Sequence, residues 1–324
     1  MSSIVPVELP LEQEERDQLK RGESALERRA RKLKRGVTSP WATAAALIIA
    51  IIWTIPTFGL FVSSWRPEEL VKTTGWWTIF ANPQLTADNY VEVLGTTVGQ
   101  QNIGGSFVNS IAITIPATVI PIVIALLAAY AFAWIDFRGK NLLFVFVFAL
   151  QIVPIQMALI PLLSTFSRGL NVFGVQFGEG LGAAGGYGQV WLAHTMFALP
   201  LAIFLLHNFI SEIPREVIEA ARVDGAGHAQ MFFRIVLPLA MPAIASFAIF
   251  QFLWVWNDLL VALIFADGPV APITKLLAEM TGTRGNEWHL LTAGAFISIV
   301  IPLIVFFALQ RYFVRGLLAG STKG

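Results

Sequence analysis

Six long apolar runs constrain the fold of this chain more than any other feature of its sequence. A helix needs about 20 mainly apolar residues to cross the hydrocarbon core of a membrane. Each run reaches that length, and none contains Lys or Arg before its last turn. We therefore predict an all-α, polytopic membrane protein with six transmembrane helices. The predicted spans are 41–63, 107–135, 142–166, 187–210, 235–265 and 290–314.

Composition supports a membrane protein and excludes several other classes. The chain is 56% hydrophobic and 13% charged, whereas soluble domains are roughly 45–50% apolar and about 25% charged. A disordered protein would need low hydrophobicity, and a soluble α/β enzyme would need more polar residues to cover its surface. The net charge of +1 provides no basic field for nucleic acid. The absence of cysteine excludes disulfides and thiolate sites.

The distribution of Lys and Arg predicts the orientation of the helices. Of the 22 basic residues, 17 lie on one side of the predicted membrane and 5 on the other. Because basic segments stay in the cytoplasm, we expect both termini to be cytoplasmic and the chain to lie in the cell (inner) membrane. The basic side comprises 1–40, 136–140, 211–234 and the C-terminal end, and the opposite side comprises 64–106, 167–186 and 266–289. The predicted organisation is a charged N-terminal tail (1–40), a six-helix domain (41–315) and a C-terminal tail (316–324).

Motifs for catalysis, nucleotide binding and metal binding are missing from the sequence. There is no G-x-x-x-x-G-K-[ST] phosphate loop, so we do not expect this chain to bind ATP in the Walker manner. The histidines lack the spacing of metal ligands. Within the predicted spans the ionisable candidates are Asp258 and either His194 or His207, which gives little support to an ion-coupled pump. The energy for any transport must therefore come from another chain, or the flow must be passive.

The predicted cytoplasmic link at 211–242 carries the most information. Ser211 is expected to cap a helix, with Pro214 in its first turn. Asp224 and Gly225 are a turn signal, in which the glycine supplies the left-handed conformation that ends the helix. The helix would carry a narrow apolar stripe of Val217, Ile218 and Ala221.

A second short helix is expected to run from about Gly227 into the fifth span. The two helices and the turn would form a compact knob that projects from the membrane. The small residues Ala220 and Ala221 would permit close approach by a partner surface. Composition alone favours an alternative, in which the link is an amphipathic segment lying on the bilayer.

The link also resembles a known signature. Glu219-Ala220-Ala221, Asp224-Gly225-Ala226, Leu237-Pro238 and Pro242 match, position by position, the "EAA" loop of the membrane subunits of bacterial ABC importers. The resemblance extends over about 41–324, and further motifs are similar to carbohydrate-importer permeases. These are Asn109-Ser110, Ala128-Ala129-Tyr130-Ala131-Phe132, Phe137-Arg138-Gly139-Lys140, Ile160-Pro161-Leu162, Gly169-Leu170-Asn171 and Trp256-Asn257-Asp258.

The C-terminal end, 310–320, resembles the tail of the second of the two maltose-type permease subunits. The family resemblance implies the type I ABC importer permease fold. Two segments depart from the family pattern, namely the charged N-terminus and the glycine-rich segment 178–188.

The resemblance implies a non-catalytic permease subunit of an ATP-driven importer for carbohydrate, of the α-glucoside, maltose or trehalose oligosaccharide type. The implied partners are a homologous second permease, an ATPase dimer, an extracytoplasmic sugar-binding protein, the carbohydrate and membrane lipid, with no nucleic acid. No cofactor is expected on this chain, because ATP and Mg would bind to the ATPase. The alternatives are an ABC permease for another solute, such as a glycerol phosphodiester, a secondary transporter, and a structural or assembly membrane protein.

The resemblance also assigns candidate site residues, none of them catalytic or metal-binding. The knob would contact the ATPase through Glu219, Ala220, Ala221, Asp224, Gly225 and Ala226. The C-terminal tail would contact it through Gln310, Arg315, Gly316 and Gly320. Side-chain chemistry, and not the resemblance, suggests Trp254, Trp256 and Asn257 as a candidate substrate path, because aromatic faces stack on sugar rings and amides bind hydroxyls. The alternative is an interfacial aromatic belt with one polar helix-packing contact. The segment 266–289 would reach the binding protein, and its polar groups are Asp267, Lys275, Thr281, Arg284 and Glu287.

Overall fold

In the computed structural model of this chain, the described residues are 40–95, 97–98, 101–172, 175–177, 186–283 and 287–321. Their regular secondary structure is helical apart from two short antiparallel hairpins, which confirms the predicted all-α class. The chain divides into two units, one ending at Leu60 and the other running from Phe61 to Gly324. The described part of the first unit belongs to a single helix. The predicted N-terminal tail lies outside the described residues up to position 39.

The α-helices of the described residues are α1 (Pro40–Ser64), α2 (Glu68–Thr73), α3 (Asp88–Gly95), α4 (Ile103–Trp134), α5 (Lys140–Ala149), α6 (Ile155–Arg168), α7 (Tyr187–Ser211), α8 (Arg215–Val223), α9 (His228–Met231), α10 (Leu237–Trp256), α11 (Leu260–Phe265), α12 (Ile273–Thr283) and α13 (Trp288–Ser321). Short 3₁₀ helices lie at Trp76–Phe80, Leu150–Ile152 and Gly268–Val270, and a π-helix lies at Phe232–Val236. The hairpins pair β1 (Thr97–Val98) with β2 (Gln101–Asn102), and β3 (Leu170–Val172) with β4 (Val175–Phe177).

Five helical segments of the described chain are long and apolar enough to cross a membrane by themselves. They are Pro40–Ser64, Ile103–Trp134, Tyr187–Ser211, His228–Trp256 and Trp288–Ala308. The first, second, fourth and sixth predicted spans agree with the corresponding helices, although the last helix continues to Ser321. The predicted third and fifth spans differ from the structure.

The third predicted span, 142–166, is wrong as a single helix. It consists of α5 with its 3₁₀ extension and α6, and the two parts are bent by 102°. Pro154 lies at the break, with Val153 in an extended conformation (ψ 119°). A proline disfavours helical backbone at the residue before it and has no N–H to donate. The pair is therefore either one broken span or a re-entrant loop.

The fifth predicted span, 235–265, is also interrupted. Helix α10 ends at Trp256, and α11 begins again at Leu260. The Asp258 carboxylate accepts hydrogen bonds from the backbone N–H groups of Val261 and Ala262, at 3.0 and 3.1 Å. An Asp side chain competes in this way for backbone donors and favours a new helix start over continuation of the old helix.

Helix α4 is the element against which much of the second unit packs. Three hydrophobic clusters lie along it, containing Ile103 near its start, Ile113 in its middle and Phe132 near its end. Its 32 residues separate its two ends by about 48 Å at 1.5 Å per residue. Events at one end must therefore reach the other through packed helices.

The described part of segment 266–289, residues 266–283 and 287–289, is folded at the Ile103 end of α4. It contains the 3₁₀ turn and α12, and it is fixed to α4 by the Asn109-Ser110 motif. The Asn109 amide donates to the carbonyls of Pro269 and Ala271 at 2.9 and 3.0 Å. The Ser110 hydroxyl accepts the N–H of Ile273 at 2.9 Å. The resemblance motif at 109–110 therefore has a structural role in this chain.

Candidate functional site

The knob, which we define as residues 212–236, connects α7 to α10. It consists of α8, a turn, α9 and the π-helix. Pro214 occupies the N-cap of α8 with an extended backbone (φ −56°, ψ 134°). The predicted capping role of Ser211 is wrong, because Ser211 is the last residue of α7 and its hydroxyl donates to the carbonyl of Asn208.

The turn of the knob has the conformation that the sequence predicts. Gly225 has φ +81°. Its N–H donates to the carbonyl of Arg222 at 3.0 Å, and the N–H of Ala226 donates to the carbonyl of Ala221 at 2.9 Å. These two bonds form a Schellman motif, which satisfies the last carbonyls of a helix and requires a left-handed residue. The turn between α8 and α9 therefore depends on the left-handed backbone of Gly225.

The inner face of the knob packs against the chain's own helices. Ile218 and Ala221 of α8 are buried in the cluster that also contains Phe132, Leu206 and Met231. Ala221 thus contributes its methyl group to this core and is not part of the exposed surface that the resemblance assigns to the ATPase. The third residue of the predicted stripe, Val217, is partly exposed.

The outer face of α8 presents both charged and apolar side chains. Glu216, Glu219 and Ala220 are exposed, and the Val223 side chain is 87% exposed at the end of the helix. Among the described residues, the Glu219 carboxylate has no hydrogen-bond or ion-pair partner. An exposed carboxylate beside an uncovered aliphatic side chain offers a partner protein both a charge to pair and apolar area to bury.

Two polar contacts fasten the knob to the end of α4. The Tyr130 hydroxyl lies 2.9 Å from Nδ1 of His228, and the Arg222 guanidinium donates to the carbonyl of Trp134 at 3.3 Å. The Tyr130 ring also contacts Phe232 edge to face. Sequence reasoning missed Tyr130 and His228 as a pair, since no local pattern links residues 98 positions apart.

The three residues of the candidate substrate path occupy different environments. Trp256 is buried, and its indole N–H donates to the carbonyl of Ser298 at 3.0 Å. It therefore packs α10 against α13 in this conformation. Trp254 is 52% exposed and lines a cavity. Asn257 is exposed, and its amide donates to the carbonyl of Leu253 at 2.8 Å.

Residues predicted to meet a binding protein are not all available at the surface. Lys275 is buried, and its ammonium donates to the carbonyl of Ala266 at 3.1 Å and to the Asp267 carboxylate at 2.8 Å. Lys275, one of the polar groups of this segment, therefore does not present its ammonium at the surface. Asp267 remains exposed. The side chains of Thr281 and Arg284 lie outside the described residues.

The C-terminal tail continues α13 to Ser321. Gln310 is exposed, and its amide donates to the carbonyl of Phe307 at 3.2 Å. The surroundings of Arg315, Gly316 and Gly320 lie outside what the structure describes, as do residues 178–185 of the glycine-rich segment. The last residues of that segment, 186–188, lie at the start of α7.

Comparison with known proteins relates this arrangement to one family. Residues 121–318 match the family described as "Binding-protein-dependent transport system inner membrane component". An osmoprotective compounds uptake permease protein of Synechocystis sp. is 53% identical over 86% of this chain and 90% of the relative. An alpha-glucoside transport system permease protein of Rhizobium meliloti is 51% identical over 84% of this chain and 70% of the relative.

A solved structure shares the fold. It is a bacterial ABC transporter involved in the import of the acidic polysaccharide alginate, and it aligns with a TM-score of 0.66 at 18% identity. The alignment covers 86% of this chain and 98% of that chain.

Proposed function

This chain belongs to the family of binding-protein-dependent transport system inner membrane components, and we propose that it is the membrane subunit of an ATP-driven carbohydrate importer. It is a non-catalytic ABC transporter permease, and ATP is hydrolysed on a separate subunit. In our proposal the knob docks on that ATPase. ATP and Mg bind there, and closure of the ATPase dimer moves the knob together with α4.

The observation that carries the proposal is the two-sided construction of the knob. Its inner face is buried in the chain's own core, and its outer face presents the Glu219 carboxylate, which has no partner in the described part of the chain, and the exposed Val223 side chain. An amphipathic link lying on the bilayer would turn Ile218 and Ala221 toward lipid. Their burial against α4 and α7 favours a protein partner for the opposite face.

The remaining partners follow from the family and the topology. A second permease would complete the translocation path, and an extracytoplasmic binding protein would deliver the cargo on the side of segment 266–289. The knob must then face the cytoplasm, where ATP is available. The excess of Lys and Arg on the knob's side supports this orientation.

The cargo class rests on the relatives. The alpha-glucoside permease protein supports an α-linked sugar as cargo. The relative from Synechocystis is named for the uptake of osmoprotective compounds and supports these as a second candidate cargo class. Uptake of maltose, compared with uptake of an osmoprotectant that is not an α-glucoside, such as glycine betaine, by proteoliposomes containing the complete transporter would distinguish the two classes.

The docking proposal is tested by charge inversion. Glu219→Lys should abolish uptake and weaken retention of the ATPase during purification, because it reverses one charge on the outer face and removes no described contact. The matched control is Glu69→Lys, which makes the same change on the exposed helix α2. Normal ATPase retention and uptake by Glu219→Lys would overturn the docking role of the knob.

A further inference from the structure

The break in the third span opens a cavity that the docking role of the knob does not use. The cavity has a volume of about 790 Å³. Residues 150–156 and α6 form one wall, α7 forms a second, and the end of α10 with the start of α11 closes it. Its size falls within the roughly 300–1,000 Å³ of small-molecule sites.

The lining is apolar with a few polar groups that converge on the same space. The polar side chains are Gln151, Gln156, Thr165 and Asp258, and the aromatic side chains are Phe197 and Trp254. The break at Pro154 also interrupts the backbone hydrogen bonding of the span. A cavity that is mainly apolar and contains a few fixed polar groups is the usual composition of a binding site.

The Asp258 carboxylate is held in place by its surroundings. Its Oδ2 accepts the backbone N–H groups of Val261 and Ala262, and Nε2 of His194 lies 3.9 Å from the same oxygen. A carboxylate has two oxygens with several acceptor positions. Asp258 therefore retains capacity to accept hydroxyl donors from a molecule in the cavity.

Trp254 supplies the complementary surface. About half of its side chain is exposed, and an aromatic face packs against apolar C–H groups while a neighbouring acceptor binds hydroxyls. This pairing matches a neutral polyhydroxylated molecule. An anionic cargo would place its charge beside the Asp258 carboxylate, which costs Coulomb energy in a cavity of low dielectric.

We propose that this cavity is a cargo subsite carried by this chain itself, in which Trp254 packs against a neutral sugar or polyol and Asp258 accepts its hydroxyl groups. The proposal rests on the transport function proposed above and names the residues of this chain that contact the cargo. A site of this kind would bind an anionic solute, such as a phosphodiester, more weakly than a neutral one.

The test uses the complete transporter in proteoliposomes with its binding protein and maltose as the probe. Asp258→Asn and Trp254→Ala should each reduce maltose uptake about tenfold or more, the effect of losing a hydrogen bond to a charged group or an aromatic contact. ATP hydrolysis stimulated by the binding protein should stay within about twofold of the wild-type rate, because the knob is untouched. Asn caps a helix as well as Asp does, so α11 should keep its start.

Matched controls make the same changes outside the cavity. Trp77→Ala removes a side chain that is 63% exposed, comparable to Trp254, and Asp88→Asn changes an exposed carboxylate at the start of α3. Both should transport maltose normally. Trp254→Tyr should recover part of the uptake lost in Trp254→Ala, which a general folding defect would not predict.

Two outcomes would overturn the proposal, and they distinguish failure of the carbohydrate function from failure of the subsite alone. If the wild-type transporter takes up neither maltose nor trehalose, the carbohydrate function fails and the subsite fails with it. If the wild type transports maltose and both cavity variants match their controls, the carbohydrate function stands and the subsite alone is wrong. Poor assembly of Asp258→Asn would leave Trp254→Ala and Trp254→Tyr to decide between these results.

Discussion

At the scale of single residues, two glycines of the knob both have open space where a Cβ would lie, but they differ in backbone conformation. A methyl group added at Gly225 or at Gly227 would meet no atom within 4 Å. Gly225 has φ +81°, whereas Gly227 has φ −75° and an extended backbone. A difference between alanine variants at these positions therefore reports mainly the left-handed backbone of Gly225, set against the small cost of alanine at the N-cap of α9.

We predict that Gly225→Ala destabilises the knob by about 1–2 kcal/mol, the cost of placing a Cβ in the left-handed region. Gly227→Ala should cost less than about 0.5 kcal/mol. Hydrogen exchange of the α8 amides in the purified complex would measure both changes. Equal exchange in the two variants would contradict the assignment of the strain to Gly225.

A second residue-scale feature is the buried ammonium of Lys275. The hydrogen bond from Lys275 holds the pKa of the Asp267 carboxyl below its ordinary value. Because Asp267 is 72% exposed, solvent screening limits the pair to about 1 kcal/mol or less. The folded-state pKa lies below the unfolded one, so this stabilisation is present above about pH 4 and is lost as the pH falls through the folded value.

Asp267→Asn should lower the thermal midpoint of the purified complex by a few degrees at pH 7. It leaves the Lys275 ammonium with the Ala266 carbonyl as its described partner. The loss of stability between about pH 4 and pH 3 should also be smaller than in the wild type. Asp88→Asn is the control, and an unchanged midpoint in Asp267→Asn would show that the ion pair contributes nothing.

At the scale of elements, the knob and α4 should move as one body. The Tyr130–His228 contact joins them at 2.9 Å, and the buried faces of α8 and α9 share one hydrophobic cluster with α4. A displacement of the knob by a partner would then be transmitted along α4 toward the cavity and segment 266–289. This coupling requires the contact between the knob and α4 to be more rigid than the contacts around it.

Tyr130→Phe should uncouple ATP hydrolysis from uptake, so that more ATP is hydrolysed per cargo molecule transported. The matched control is Tyr187→Phe, which removes the 2.6 Å hydrogen bond from Tyr187 to Asn109 near the other end of the helices. Each change removes a bond worth about 1 kcal/mol. If both variants have the same ratio of ATP hydrolysis to uptake, the Tyr130–His228 contact has no specific role in coupling.

At the scale of the whole molecule, the number of crossings depends on the bent pair α5 and α6. The described chain contains five candidate spans, or six if this pair crosses the membrane. The charge distribution favours six, because it places 136–140 and 167–186 on opposite sides. The native chain has no cysteine, so single cysteines can report each side.

We predict that Gly186→Cys reacts with an impermeant thiol reagent in intact cells. Asp136→Cys and Asp224→Cys should react only after permeabilisation. Both Gly186 and Asp136 are exposed and flank the bent pair. Labelling of Gly186→Cys and Asp136→Cys from the same side would identify α5 and α6 as a re-entrant loop and reduce the count to five spans.

The sequence by itself determined the features that arise from neighbouring residues. The apolar runs gave the all-α class and four of the spans, since a helix in lipid requires only its own apolar length. The turn at Gly225 was predictable because the left-handed conformation is a property of one residue. The family followed from the order of residues in the EAA loop.

Only the tertiary structure decided which similar residues play different parts. Pro121 and Pro200 lie inside continuous helices, whereas Pro154 marks a 102° break. Trp254 and Trp256 are two positions apart, yet one lines a cavity and the other is buried. Local sequence acts over a few residues, whereas burial and breaks depend on packing by segments far along the chain. The cavity that we propose as a cargo subsite exists because distant helices meet around one break.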